Sequence, residues 1–137
     1  MQYWLVKTEP ETWSWDDQVK KGAEAWTGVR NHQAANNMKA MKLGDLAFFY
    51  HSGEERRIVG VVSVSKEYHP DPTDETKKFG MVEVKTLGPV KTPVTLAAIK
   101  ADKRLQHLLL VRQSRLSVVP IDLKSWKLIC DMAGLAP

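Results

Sequence analysis

The chain contains 137 residues, of which 43% are hydrophobic and 26% are charged. This length is typical of one domain, and the apolar fraction is large enough for a buried core, which excludes wholesale disorder. The longest apolar run, residues 58–62, is far shorter than the ~20 residues of a membrane-spanning helix. The first residues lack the basic leader and cleavage site of a signal peptide, so we expect a single cytoplasmic domain over residues 1–137.

The excess of positive charge is concentrated in the second half of the chain. The net charge is +4 and the pI is about 9.2. Residues 1–68 hold nine Lys or Arg and nine Asp or Glu, whereas residues 91–115 hold six cations beside one acid, Asp102. A local positive field suits a polyanion such as nucleic acid. A solvated basic face without a partner fits the charge equally well.

The first third of the chain predicts a strand followed by two helices. Residues 3–8 have the alternation of a strand. Ser14 is followed by two acids and caps a helix that Gly22 ends. Asn31 caps a second helix, which we expect to continue to Gly44.

The middle of the chain predicts three strands, at residues 45–51, 58–64 and 80–87. Their connections are short, so the strands should pair antiparallel. Gly60 would allow the second of them to bend. Residues 69–78 contain two prolines and several turn-formers, which predicts a surface loop.

The last third predicts a helix, a strand and a final helix. The first helix begins at Thr95 or Pro93 and extends to Leu108, the strand covers residues 115–121, and Asp122 caps the final helix. The whole order predicts an α+β domain in which helices surround a curled, mainly antiparallel sheet.

The sequence lacks the usual metal and cofactor motifs. Cys130 is the single cysteine, which excludes a disulfide and predicts a small buried hydrophobe. The four histidines form no His-x-x-x-His pair, and neither a P-loop nor a G-x-G-x-x-G motif is present. We therefore expect no metal and no cofactor.

Residues 26–31 form a glycine-containing loop before the second predicted helix. A nucleobase needs a flat π-face for stacking and polar groups for edge readout, which Trp26 and Asn31 supply if the indole faces a hollow. Arg30 would then hold a phosphate. Alternatively, Trp26 is a core residue that anchors the loop and Arg30 is a structural ion-pair donor.

Polar residues at the predicted strand ends are further candidates. Tyr50 and His51 lie at a sheet rim, where pockets open. Adjacent strand residues point to opposite faces, so His51 and Ser52 do not indicate a serine hydrolase. Lys7 ends the first strand and would project into the mouth of a barrel, or else form a surface pair with Glu9.

Arg115 and Ser117 begin the late strand and share one face of it. They could contact a phosphate or a base. Alternatively, they are edge-strand groups that discourage aggregation.

Eight segments, in order along nearly the whole chain, resemble the EVE domain family. They are residues 4–10 (WLVKTEP), 26–34 (WTGVRNHQA), 36–37 (NN), 44–45 (GD), 49–52 (FYHS), 58–60 (IVG), 68–71 (YHPD) and 115–118 (RLSV). The resemblance implies a PUA-like fold, which is a strongly bent β-barrel surrounded by helices. It also implies kinship with YTH domains, which read methylated adenine in RNA. Trp26 resembles the first cage tryptophan of those domains, and the second has no clear counterpart.

Our leading hypothesis is a nucleic-acid binding module without catalysis. It would act as a monomer and take one modified base of DNA or RNA into a pocket at the barrel mouth. The predicted base contacts are Trp26, Asn31, Ser14, Val29, Tyr50, His51 and Ser117, and the predicted phosphate contacts are Lys7, Arg30 and Arg115.

Two other functions stay open at this point. One is a small hydrolase of a modified nucleoside that uses Lys7 and Glu9, which requires a lowered lysine pKa in a dry pocket. The other is an adaptor whose basic patch meets an acidic protein. A salt dependence that follows the number of phosphates contacted would separate nucleic-acid binding from the adaptor.

Overall fold

A computed structural model describes residues 1–135 as an α+β fold. The strands are β1 (Tyr3–Thr8), β2 (Ala23–Ala25), β3 (Leu46–His51), β4 (Arg57–Pro70), β5 (Gly80–Thr95) and β6 (Val118–Ile121). The helices are α1 (Trp15–Lys21), α2 (His32–Ala40), α3 (Leu96–Ala101), α4 (Leu109–Arg112) and α5 (Leu123–Met132), with a 3-10 turn at Lys103–Leu105. No helix in residues 1–135 is both long and apolar enough to cross a membrane.

The strands form one six-stranded sheet in the order β2-β5-β4-β3-β1-β6. As predicted, β3, β4 and β5 pair antiparallel, whereas β1 pairs parallel with β3 across a crossover that contains α1 and α2. Register shifts interrupt the β3–β4 and β4–β5 ladders, and such bulges bend strands. The predicted α+β class with a bent, mainly antiparallel sheet is confirmed, although the sheet is not closed, since β2 and β6 are its two edges.

Gly60 is required by a close contact as well as by a bend. A Cβ atom at this position would lie 2.4 Å from the indole of Trp15. That indole in turn packs edge-on against Phe49, with ring centroids 5.1 Å apart. Trp15, the first residue of α1, therefore packs directly against the face formed by β3 and β4.

The helix caps form as their sequences predict. The Ser14 hydroxyl accepts from the Asp17 amide at 3.1 Å, and the Asp17 carboxylate accepts from the Ser14 amide at 3.0 Å. Gly22 ends α1 with φ +85°. Asp122 begins α5, where Trp126 stacks on Phe48 with ring centroids 3.9 Å apart. Cys130, on the same helix, is buried as expected.

Several element boundaries differ from the sequence predictions. β2 was not predicted, because three residues carry too little alternation. α2 ends at Ala40 instead of Gly44, since Met41 is extended. The helix expected to reach Leu108 ends at Ala101, where Asp102 takes an extended conformation and caps the 3-10 turn.

The late strand also starts later than predicted. β6 begins at Val118, so Arg115 and Ser117 lie in the connection that precedes it. The strand pairs with β1 from Val118 to Ile121 only. The two polar side chains are therefore outside the ladder and do not share a strand face.

Candidate functional site

A hollow of about 380 Å³ opens at the end of the sheet where the parallel strands β1 and β3 terminate. Its wall contains residues 7–8 of β1, residues 12–13 ahead of α1, all of residues 24–31, and Ser117 ahead of β6. Pockets that hold small molecules commonly measure roughly 300–1,000 Å³. The structure therefore brings together six of the ten predicted site residues, namely Lys7, Trp26, Val29, Arg30, Asn31 and Ser117.

Trp26 lines this hollow but is only 7% exposed. Its ring meets Phe49 edge-on, with centroids 5.7 Å apart and an interplanar angle of 82°. The sequence analysis left open whether Trp26 contacts a ligand or anchors the loop in the core. The structure shows features of both, because the indole lines the hollow and is also largely buried. Most of the ring belongs to the core, so a ligand meets a limited part of it.

The part of Trp26 that stays accessible includes its indole N–H. Among residues 1–135, Nε1 of Trp26 has no hydrogen-bond partner, while no fully buried side-chain nitrogen or oxygen lacks one. Nε1 therefore keeps contact with solvent. Because Trp26 lines the hollow, its unpaired indole N–H is a candidate donor for a ligand there.

Trp13 is a second aromatic residue of the hollow, which the sequence analysis missed. It is half-buried, and its indole Nε1 donates to Oε1 of Gln18 at 2.9 Å. Its carbonyl accepts from the Thr8 hydroxyl at 2.8 Å. Gln18 thus holds the indole ring, and Thr8 holds the backbone of Trp13. The available sequence signal was an aromatic residue directly before the Ser14 cap, on the segment that follows β1.

Local interactions shape the wall formed by residues 26–31. The Trp26 amide donates to the Val82 carbonyl at 2.8 Å, and Gly28 has φ +80°, which glycine adopts readily. Asn31 caps α2, with Oδ1 accepting from the Ala34 amide at 2.9 Å. Nδ2 of Asn31 has no partner among the described residues and remains available to a ligand.

Asp71 fastens the same wall from the loop between β4 and β5. Its buried carboxylate accepts from the Gly28 amide at 3.0 Å and from Arg30 Nη1 at 3.2 Å. Burial alone would raise the pKa of Asp71, but hydrogen bonds from Thr73, Gly28 and Arg30 outweigh it and lower the pKa to about 2. The predicted surface loop at residues 69–78 therefore contains a buried structural anchor.

The guanidinium of Arg30 is therefore engaged in interactions within the protein. Besides Asp71, its Nη2 donates to the Thr73 hydroxyl at 3.1 Å, and its guanidinium lies 5.8 Å from the Phe79 ring centroid. The alternative of a structural ion pair describes this geometry. A predicted phosphate contact at Arg30 would have to share the guanidinium with Asp71.

Lys7 supplies positive charge to the hollow. Its Nζ donates to the Ser114 carbonyl at 3.0 Å and lies 5.7 Å from the Tyr50 ring centroid. Within residues 1–135 no carboxylate lies within 4.0 Å of it, and burial lowers the pKa of Lys7. The alternative, a surface pair with Glu9, does not form among residues 1–135, and Glu9 is exposed.

The other four predicted residues lie outside the hollow. The Ser14 hydroxyl is engaged in the cap of α1, and Tyr50 is buried, which raises its pKa to about 12. Nε2 of His51 accepts from the Trp15 amide at 2.9 Å, while Nδ1 contacts Glu55. Arg115 is exposed and lines an adjacent groove.

The described residues contain no group of three or more His, Cys, Asp or Glu side chains arranged to hold a metal ion. The hollow offers two indoles, amide and hydroxyl groups and one unpaired ammonium, together with Arg30 and Glu24, which are engaged in ion pairs. This set suits a planar, polar ligand with negative charge nearby.

Comparison with known proteins identifies the family. The family model for the EVE domain matches residues 2–132. The chain belongs to the EVE domain family. Chicken (Gallus gallus) thymocyte nuclear protein 1 is 32% identical to this EVE domain, over 98% of this chain and 70% of the relative.

Solved structures show the same architecture. A protein of Agrobacterium tumefaciens has a TM-score of 0.97 and 46% identity, covering 99% of this EVE domain and 95% of the other chain. Human thymocyte nuclear protein 1, solved in complex with DNA containing 5-methylcytosine, has a TM-score of 0.93 and 30% identity over 100% of both chains. The expected family and its fold are thereby confirmed.

Proposed function

We propose that this protein binds nucleic acid and accommodates one modified base in the hollow beside Trp26 and Trp13, without catalysis. The observation that carries the proposal is the hollow itself, which combines two indoles with free donors and an unpaired cation. The human relative bound to DNA with 5-methylcytosine has the same fold over the whole of its solved chain, which supports a polymeric ligand carrying a modified base.

The two tryptophans have different roles in this proposal. Trp13 is the more exposed of the two and offers ring surface for stacking, which is worth roughly 1–3 kcal/mol per base. Trp26 closes the inner wall and donates from Nε1. Asn31 Nδ2 and the Ser117 hydroxyl complete the set of groups that read the base edge, and Val29 adds apolar surface.

Electrostatics favour a base attached to a phosphate backbone. Lys7 is the one cation of the hollow without a carboxylate partner among residues 1–135, since Arg30 pairs with Asp71. Glu24 also lines the hollow, but it is paired with Lys21 at 2.7 Å. An ammonium near the rim therefore has charge left for an external phosphate.

A hydrolase that uses Lys7 and Glu9 has one observation in its favour, the lowered pKa of Lys7. A general acid or base must reach the reacting group, and geometry comes before pKa. Glu9 is exposed and does not line the hollow. Binding without turnover is thus the better supported function. Release of the acyl group from an N-acylated nucleoside, lost in Lys7→Met, would contradict it.

The proposal is tested by titrating labelled oligonucleotides that differ only in one base. The set contains cytosine, 5-methylcytosine, adenine and N6-methyladenine, each in single-stranded DNA, duplex DNA and RNA. We expect tighter binding to at least one modified base than to its unmodified parent, by roughly tenfold for one added base contact of ~1.4 kcal/mol. Equal affinity for every member, unchanged in Trp26 and Trp13 variants, would contradict the proposal.

A further inference from the structure

A second groove lies directly beside the base hollow. It has a volume of about 320 Å³ and is lined by residues 112–116, which connect α4 to β6, together with Asn31 and Gln33 at the start of α2. Asn31 lines both the hollow and the groove. The two depressions therefore share a wall.

A hydrogen bond also joins the two depressions. Lys7 lines the hollow, Ser114 lines the groove, and the Lys7 ammonium donates to the Ser114 carbonyl at 3.0 Å. The cation thus stands at the boundary between them. A chain that leaves the hollow toward the groove passes this ammonium.

The groove is cationic and its positive charge is unpaired. Arg112 and Arg115 both line it, and no acidic residue does. Neither arginine has a carboxylate within 4.0 Å among residues 1–135. Arg112 uses only Nε, which donates to the Gln106 carbonyl at 3.2 Å, and the Arg115 guanidinium makes no hydrogen bond in this part of the chain. Planar guanidinium groups with free N–H bonds are well suited to phosphate oxygens.

The remaining polar groups of the groove are uncharged amides and a hydroxyl, from Asn31, Gln33, Gln113 and Ser114. Such groups commonly accompany arginine in contacts to phosphate and sugar, which fix the register of a strand but carry no base information. The composition of the groove therefore favours the backbone of a polynucleotide over a second base.

Another basic patch, formed by Lys39, Lys77 and Lys78, lies near Tyr68 and Phe79. It shares no lining residue with the hollow. Asp74 lies in the same loop and accepts from the amide of Lys78 at 3.0 Å. This patch has the same sign of charge but has no lining residue in common with the hollow, so its lysines provide a matched control.

We infer that the groove of Arg112 and Arg115 binds the phosphates that flank the base held in the hollow, with Lys7 at the junction. The inference rests on the proposed function and adds the path of the strand. Base selectivity then comes from the hollow, whereas the groove supplies affinity that depends on salt but not on the base.

The experiment measures binding of a duplex with one modified base, and of its unmodified parent, between about 50 and 200 mM salt. Arg112→Gln with Arg115→Gln is compared with Lys77→Gln with Lys78→Gln, which removes the same charge from the unconnected patch. All four substitutions are at exposed positions, and thermal unfolding checks that both double variants fold.

The arginine variant is expected to flatten the slope of log K against log salt by roughly 1–2, since each lost phosphate contact removes about one unit. It should weaken both duplexes by the same factor and leave their ratio unchanged, while the lysine variant keeps the wild-type slope. An unchanged slope in the arginine variant, or equal flattening in both variants, would overturn the inference. Loss of selectivity in Trp26 or Trp13 variants reports on the base site separately.

Discussion

Trp26→Ala is expected to weaken binding of the preferred modified oligonucleotide by roughly 3- to 10-fold, which corresponds to ~0.6–1.4 kcal/mol for one lost hydrogen-bond donor and a limited ring contact. The substitution removes the inner wall of the hollow together with its free indole donor. Fluorescence anisotropy with a labelled oligonucleotide measures the loss. Affinity for the unmodified parent should fall less, because the hollow contributes less to binding of the parent base, whereas the groove contacts are the same for both.

Trp15→Ala is the matched control for this experiment. Trp15 and Trp26 both pack edge-on against Phe49, at 5.1 and 5.7 Å between ring centroids, but only Trp26 lines the hollow. Both changes should cost roughly 3–5 kcal/mol of stability. Trp26→Phe provides a milder variant that keeps one aromatic ring and loses the five-membered ring of the indole together with Nε1. Binding is compared under conditions in which the variants are equally folded. If Trp15→Ala then weakened oligonucleotide binding as much as the Trp26 variants, the assignment of the base site to the hollow would be contradicted.

Asp71→Asn is expected to lower the free energy of unfolding by on the order of 2 kcal/mol at neutral pH. It should also change how the free energy of unfolding depends on pH under acidic conditions. The folded-state pKa of Asp71, about 2, lies below its ordinary value of 3.8. Its contribution is therefore complete above about pH 4 and is lost as the pH falls toward 2. The difference in unfolding free energy between wild type and variant should shrink across this window.

Asp74→Asn is the control that distinguishes the role of Asp71 in anchoring the wall of the hollow from a general effect on the loop between β4 and β5. Asp74 accepts from the Thr76 amide and hydroxyl much as Asp71 accepts from those of Thr73, but its carboxylate makes no hydrogen bond to residues 26–31. Both variants should lose stability in chemical denaturation. Only Asp71→Asn should also weaken oligonucleotide binding, because it releases Gly28 and Arg30. Equal binding losses in the two variants would contradict the anchoring role of Asp71.

The parts of the fold that depend on neighbouring residues were predictable from the sequence. Alternation located β1, and the caps at Ser14, Asn31 and Asp122 located three helices, because capping joins residues only three positions apart. The same local signals failed where the chain changes conformation without a strong breaker, as at Asp102.

The candidate site was only partly predictable, because its details depend on distant residues. Residues 26–31 line the hollow as a pattern of Trp, Arg and Asn suggested. The pairing of Arg30, however, is decided by Asp71, 41 positions away in the chain. Likewise, Trp26 packs against Phe49, which no local pattern connects to it.

Side chains at strand ends show the same limit. His51 was predicted to contact a base, yet its ring is occupied by the Trp15 amide and Glu55. Trp13 was overlooked, because its approach to the hollow depends on Thr8 and Gln18 holding the segment between β1 and α1. Family resemblance identified the fold, and the coordinates were needed to assign the individual contacts.

The most direct measurement of the central claim is the indole N–H region of a two-dimensional ¹H–¹⁵N spectrum during titration with the preferred oligonucleotide. Substitution of each tryptophan by Phe assigns the five signals expected from the five Trp residues. The account predicts that the Nε1–H signal of Trp26 shifts and saturates with the binding curve, while that of Trp126, a buried residue of α5, stays in place. A saturating titration that leaves the Trp26 signal unmoved would contradict the claim that the base enters this hollow.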